Sequence, residues 1–234
     1  MDLRNANILI TGGSSGIGFE TARTLIEAGA QVAITGRDEA KLQAAAAALK
    51  ANAIRADVSD ASDAHRMVEE TVRAFGSINV LINNAGFGSF APLVALDVAE
   101  FRRVMDTNVF GAMLAGQAAA RQFIAQGKGG NIVNIASTAA QRGFANGTAY
   151  TASKFALSAM TECWRAELRI HDIRVMQVNP SEVVTEFQAR MGKQQVVNET
   201  KLRAREIAHA IKAMLEMDDR GFIPELTVWA TNPK

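Results

Sequence analysis

Asn7-Ile8-Leu9-Ile10-Thr11-Gly12-Gly13-Ser14-Ser15-Gly16-Ile17-Gly18 is the stretch that decides the fold. Residues 7–10 carry a β-branched apolar run, the mark of a strand buried on both faces of a parallel sheet. Helical spacing follows over residues 19–28, so a glycine-rich turn joins a strand to a helix N-terminus. Such a junction binds phosphates. Glycine lets the backbone approach a pyrophosphate closely, and the unpaired N–H groups and dipole of the helix favour its negative charge. Gly12, Gly16 and Gly18 stand at Gly-x3-Gly-x-Gly spacing. Three glycines convenient to a turn are the plain alternative, but a strand before and a helix after are the context that marks a dinucleotide site.

Outward from that unit, strands and helices alternate. Strands are expected over residues 31–35, 52–55, 80–83, 131–135, 174–178 and 226–230, with helices over 39–50, 62–75, 99–126, 148–171 and 205–217. Strict alternation argues for right-handed βαβ crossovers and a parallel, doubly wound α/β sheet. Ligands of such sheets bind at the carboxyl edge, so polar residues just past each strand are the candidates. Asp57, past the third strand, is placed to accept a hydrogen bond from an adenine amine. A helix cap is its other reading, although Asp60 or Ser62 suits that role better. Asn84-Ala85-Gly86 makes a small polar turn after the fourth strand, and Ser137 points a hydroxyl into the same crevice from the end of the fifth. Asn108 lies inside the long helix, where asparagine is a poor helix former and costly to bury unsatisfied, so it is either exposed or functional.

Tyr150 is the only tyrosine, and Lys154 follows it by one helical turn. Residues 150–167 contain no Gly or Pro and are rich in Ala, Leu and Met, so the two side chains share a face. A phenol normally titrates near pH ~10, and a fixed cation beside it favours ionisation, which makes a proton donor and acceptor near neutrality. Read alone, the pair is better taken as a packed tyrosine with a solvated lysine, since Tyr-x3-Lys arises easily by chance; the rest of the chain decides.

Composition narrows the class. The 234 residues, 48% hydrophobic, suffice for one domain with a full core. Basic and acidic side chains number 25 and 24, so no electrostatic footprint for nucleic acid or an anionic membrane is visible. Cys163 is the single cysteine; an intrachain disulfide is excluded, the residue is expected as a small core side chain, and a reducing, cytoplasmic setting fits. The N-terminus has no signal-peptide or transit-peptide pattern, and no run reaches transmembrane length. His65, His171 and His209 stand far apart, without ligand spacing, so no metal site is expected.

Taken in order, Thr11-Gly12-x3-Gly16-x-Gly18, Asp57, Asn83-Asn84-Ala85-Gly86, Asn108, Ser137 and Tyr150-x3-Lys154 make the chain resemble the short-chain dehydrogenases/reductases over nearly its whole length. The resemblance implies a single Rossmann-type domain over residues 1–234, with a mostly parallel sheet of about seven strands and helices on both faces. It further implies a homodimer or homotetramer built on the helices at 99–126 and 148–171. The implied activity is hydride transfer between NAD(P)(H) and a small-molecule carbonyl or alcohol. Tyr150 would be the acid and base. Lys154 would lower the phenol's pKa and hold the nicotinamide ribose, Ser137 would hold the substrate oxygen, and Asn108 would interrupt its helix to position a water that passes protons to Lys154. The resemblance places Gly12, Ser14, Ser15, Gly16, Ile17 and Gly18 on the nucleotide, then Asp57, Val58, Asn84, Ala85 and Gly86. Tyr150 and Lys154 themselves, with Pro180, Val183 and Thr185, would complete that set.

Two features bear on specificity. Ser181 stands where relatives often have glycine after proline, and a lid is expected around residues 182–200. Its Val183, Val184, Phe187 and Met191, with Phe87, Phe90 and Phe144, suggest an apolar pocket for a ketone, aldehyde or 3-oxoacyl group, or else ordinary core. In Thr35-Gly36-Arg37-Asp38, Gly36 has no side chain to repel a 2′-phosphate. Arg37 can pair with one, and Asp38 is placed to cap the next helix, which selects NADP(H) over NAD(H). A catalytically silent nucleotide-binding regulator or scaffold is the other class of function, since a fold alone does not establish activity.

Overall fold

The computed structural model describes residues 1–184 and 200–232. Its central sheet has seven strands: β1 Asn7–Ile10, β2 Gln31–Gly36, β3 Asn52–Arg55, β4 Val80–Asn83, β5 Gly130–Ile135, β6 Ile173–Pro180 and β9 Glu225–Val228. They lie in the order β3-β2-β1-β4-β5-β6-β9, and every pairing is parallel. The order reverses between β1 and β4, so a crevice opens there at the carboxyl ends of the strands. A separate two-stranded pair joins β7 Val183–Val184 to β8 Leu202–Arg203.

Alternation along the strands builds two cores. Ile8, Ile10 and Ile34 face one layer, against Leu25 of α1 Gly16–Glu27, Leu42 of α2 Glu39–Leu49 and Ile211 of the last helix, α7 Ala204–Glu216. Leu9, Ala33 and Leu81 face the other, against Met67 of α3 Ala61–Phe75 and Phe123 of α5 Ala112–Gln126. These buried runs are what a sheet covered on both faces demands. Asp38 caps α2 by accepting from the Lys41 N–H at 3.1 Å, and Asp60 caps α3 by accepting from Ser62 and Asp63 N–H groups.

The expected single helix over 99–126 is instead three pieces: α4 Val98–Met105, a π-helical turn Asp106–Gly111, and α5. The wider turn carries Asn108 inward to its hydrogen-bond partners, which straight α-helical pitch does not supply. Gly111 ends the turn where a Cβ would lie 2.7 Å from Val58 Cγ2, so only glycine lets the helix approach the loop after β3. Cys163 also differs from expectation. It is exposed, because α6 Thr148–Leu168 turns it about 200° from buried Thr161 and onto the outer face. Among the described residues no helix is long and apolar enough to cross a membrane.

Candidate active site

The glycine turn is locked to the β4 terminus by one threonine. Thr11 Oγ1 accepts from the N–H groups of Asn84 and Ala85, at 3.0 and 3.1 Å, while Asn84 Nδ2 donates to the carbonyls of Thr11 and Gly12, both at 3.0 Å. Gly12 has φ +66°, and a Cβ there would sit 2.9 Å from the Ala85 Cα. Gly18 lies behind the turn rather than in the crevice; a Cβ on it would meet the Gly12 carbonyl oxygen at 2.4 Å. Ser15, the N-cap of α1, makes no side-chain bond to the first turn, whose N–H donors remain for an anion. Gly12, Ser14, Ser15, Gly16 and Ile17 line a cleft of about 970 Å³. A diphosphate fits this cradle in both charge and space.

At the β2 and β3 end of the cleft stand Arg37, Asp57 and Val58. Arg37 Nη1 lies 3.8 Å from Asp57 Oδ2; the arginine is exposed and the aspartate partly buried. Asp57 Oδ1 accepts from the Ser59 N–H and hydroxyl at 3.0 and 2.7 Å, so the carboxylate is held by its own loop while Asp60 caps the helix. Asp38 also lines the cleft, but its Oδ1 caps α2, while Arg37 presents a fork of donors there.

The centre of the cleft holds Ser137, Tyr150 and Lys154. The Ser137 hydroxyl is hydrogen-bonded to the Tyr150 phenol. Lys154 Nζ donates to the Ile135 carbonyl at 2.8 Å and lies 5.6 Å from the centroid of the Tyr150 ring. Burial pushes the ammonium down to about 8. Burial likewise raises the phenol above its ordinary value, and the Ser137 bond pulls against that rise. The expected lowering of the phenol by Lys154 therefore does not describe this structure: desolvation dominates, and the ammonium is turned toward a backbone carbonyl. Asn108 does not line the cleft but braces it from behind. Its Oδ1 accepts from the Phe87 N–H at 3.0 Å, and its Nδ2 donates to the Phe87 carbonyl and to Ser153 Oγ, both at 2.9 Å. Ser153 in turn donates to the Tyr150 carbonyl at 2.7 Å. Thr11 belongs to the glycine motif and Ser153 lies between Tyr150 and Lys154, but nothing in the sequence assigns either hydroxyl a role of its own.

Gly86 sits between these groups: a Cβ would come 3.0 Å from Asn108 Oδ1 and 3.7 Å from Lys154 Nζ. On the other wall, Phe90 is 5.6 Å from the Tyr150 ring centroid and 6.0 Å from that of Phe144. Phe144 is 49% exposed, so these rings form a cleft wall and not ordinary core. Phe87, Pro180 and Val183 also face the cleft. Ser181 keeps φ out of the left-handed region and donates its N–H to Val228 at 2.9 Å, so the residue is accommodated without glycine's freedom. Thr185, Phe187, Met191 and most of the expected lid lie outside the described residues.

Known proteins are similar to this chain in sequence and fold. Residues 6–196 match the family model described as short chain dehydrogenase. Galactitol 2-dehydrogenase of Agrobacterium fabrum is 36% identical over 185 residues, covering 78% of this chain and 72% of that protein. Cis-4-hydroxycyclohexanecarboxylate dehydrogenase of Sinomonas cyclohexanicum is 34% identical over 228 residues, covering 92% and 90%. Among solved structures, an alcohol dehydrogenase of Thermococcus sibiricus complexed with 5-hydroxy-NADP superposes with a TM-score of 0.88 at 25% identity, covering 98% of this chain and 99% of that one.

Proposed function

The chain belongs to the short-chain dehydrogenases, oxidoreductases of alcohol and carbonyl groups, and from that premise we propose that it is an NADP(H)-dependent reductase of an apolar ketone, aldehyde or 3-oxoacyl group. The observation that carries the reading is the Ser137–Tyr150 hydrogen bond in the cleft, beside a buried Lys154. When bound, a nicotinamide dinucleotide supplies or accepts the hydride. The chain's own residues do the rest. Ser137 orients the carbonyl oxygen, and Tyr150, whose raised pKa keeps it protonated at neutral pH, gives that oxygen a proton. Lys154 places a donor beside the phenol. Asn108 and Ser153 hold the Tyr150 backbone in register.

NADP(H) is preferred on the strength of Arg37: its fork suits a phosphate, and Asp38, the competing acid, is engaged in its cap. Among the relatives, the one whose name specifies a ring alcohol accords better with the Phe90–Phe144 wall than the one whose name specifies a polyol. Exposed Phe110, Ile124 and Phe155 on α5, the turn before it and α6 support association into a homodimer or homotetramer.

Tyr150→Phe removes only the titrating hydroxyl. Turnover is expected to fall by roughly 10² to 10⁴-fold, while nucleotide binding, followed by fluorescence, stays near native. Near-native turnover in that variant would rule out the mechanism, and loss of nucleotide binding would show that the substitution reached beyond the hydroxyl.

A further inference from the structure

The cleft that holds the aromatic wall is also lined by a cation with no ion pair among the described residues. Arg142 lines the same cleft as Tyr150, and its guanidinium carbon lies 5.9 Å from the centroid of the Trp229 ring, a side chain 56% exposed. Among the described residues no carboxylate forms an ion pair with Arg142, and the acids on that side are engaged elsewhere. Glu182 pairs with Lys201 at 2.9 Å, and Glu225 accepts hydrogen bonds from Asn179 and Gln141. The arginine's place is built into the fold. Gln141 Nε2 reaches both Glu225 Oε1 and Thr227 Oγ1 at 3.3 Å, which ties the turn after β5 to β9 and brings residues 142 and 229 together.

A guanidinium lying over an indole uses its face for the ring and keeps its N–H edge for a planar anion. The rings of Tyr150, Phe90 and Phe144 form a continuous row that starts at the acid–base group, in the cleft that Arg142 also lines. That sequence of surfaces, proton donor, then apolar wall, then uncompensated cation, matches a molecule with the same three parts.

We propose that the substrate is an oxo acid. Its carbonyl sits at Ser137 and Tyr150, its ring or short carbon chain lies against Phe90 and Phe144, and its carboxylate takes the fork of Arg142. The inference rests on the reductase reading; it keeps the apolar body of that substrate against the aromatic wall but adds a charged end to it. In the reaction the carbonyl carbon gains the hydride supplied by the reduced nicotinamide nucleotide and the oxygen gains the Tyr150 proton. The carbonyl π bond is lost and the carboxylate leaves unchanged, giving the hydroxy acid.

Two unreactive probes, cyclohexanecarboxylate and cyclohexanecarboxamide, test the anchor by calorimetric titration into protein saturated with NADP⁺. The acid is expected to bind at least about tenfold tighter than the amide, the scale of one charge-assisted hydrogen bond. Arg142→Ala should bring it to the amide's level, and Arg142→Lys should restore part of the difference. Equal binding of acid and amide, or an advantage that survives Arg142→Ala, overturns the proposal. Rates with 4-oxocyclohexanecarboxylate, its methyl ester and a phosphopantetheine-linked 3-oxoacyl thioester then separate the sources of negative charge. Highest kcat/KM for the free acid supports the oxo acid; preference for the thioester overturns it. An acid-selective binding gap without turnover of any carbonyl upholds the carboxylate site and overturns the reductase reading.

Discussion

Two arginines stand on either side of one cleft, and their surroundings differ in kind. Arg37 follows β2 and faces a carboxylate, Asp57, at 3.8 Å. Arg142 follows β5, on the other side of the reversal in strand order, and rests on an indole without an ion pair among the described residues. Both are exposed, so neither is held by burial. The contrast teaches that the sign of a charge says less than what already occupies its donors. Arg37 already has an acid beside it, whereas among the described residues no carboxylate pairs with Arg142; on the proposed reading the first would exchange that acid for a nucleotide phosphate and the second would meet the substrate.

Between them lies a third cation whose behaviour sets the scale for the other two. Lys154 is buried, and its pKa is pushed down to about 8, against about 10.4 for an unfolded lysine. The sign follows from proton counting. Between those two values the unfolded chain holds a proton that the folded chain has released, so stability rises with pH; below pH 8 both states are protonated and the burial penalty is fully present. Relative to Lys154→Met, the native protein should gain up to about 3 kcal/mol between pH 7 and pH 10.5 in urea unfolding. A pH-independent difference would mean that the ammonium is better solvated than its burial implies, and the contrast with the two exposed arginines would weaken.

A smaller effect sharpens the arginine comparison directly. Asp57→Asn keeps the side chain's size and a carbonyl oxygen for the Ser59 N–H, but removes the negative charge near Arg37. Exposed pairs of this kind contribute about 0.2–1 kcal/mol, so the NADPH-to-NADH ratio of kcat/KM should rise by up to about fivefold. A fall in that ratio would show that Asp57 positions Arg37 instead of competing for it.

How much of this was legible in the sequence depended on whether a signal was local. The apolar run at residues 7–10, the glycine spacing at 12, 16 and 18, and Asp38 ahead of a helical pattern each state their structure within a few residues. Asn108 announced itself as an amide in the wrong place, and the π-helical turn is the reason it is there. The resemblance implied a break at Asn108, but its form was not legible, because nothing in the apolar spacing over 99–126 separates a π turn from an α turn. The outward face of Cys163 could not be fixed until helix and sheet were packed. The rise in the Tyr150 pKa depends on burial, which neighbours distant in the chain supply. Arg142 and Trp229 meet only because β5 and β9 flank β6 in the sheet, a proximity that no spacing along the chain encodes.

The most direct test of the account crosses the two arginines. Native protein, Arg37→Ala and Arg142→Ala are each assayed for two kcat/KM ratios, NADPH against NADH, and 4-oxocyclohexanecarboxylate against its methyl ester. The native protein is expected to favour NADPH and the acid. Arg37→Ala should lower the nucleotide ratio by about tenfold or more and leave the substrate ratio alone, and Arg142→Ala should do the reverse. A native preference for NADH, or a ratio that does not respond to its own arginine, would contradict the division of the cleft between them.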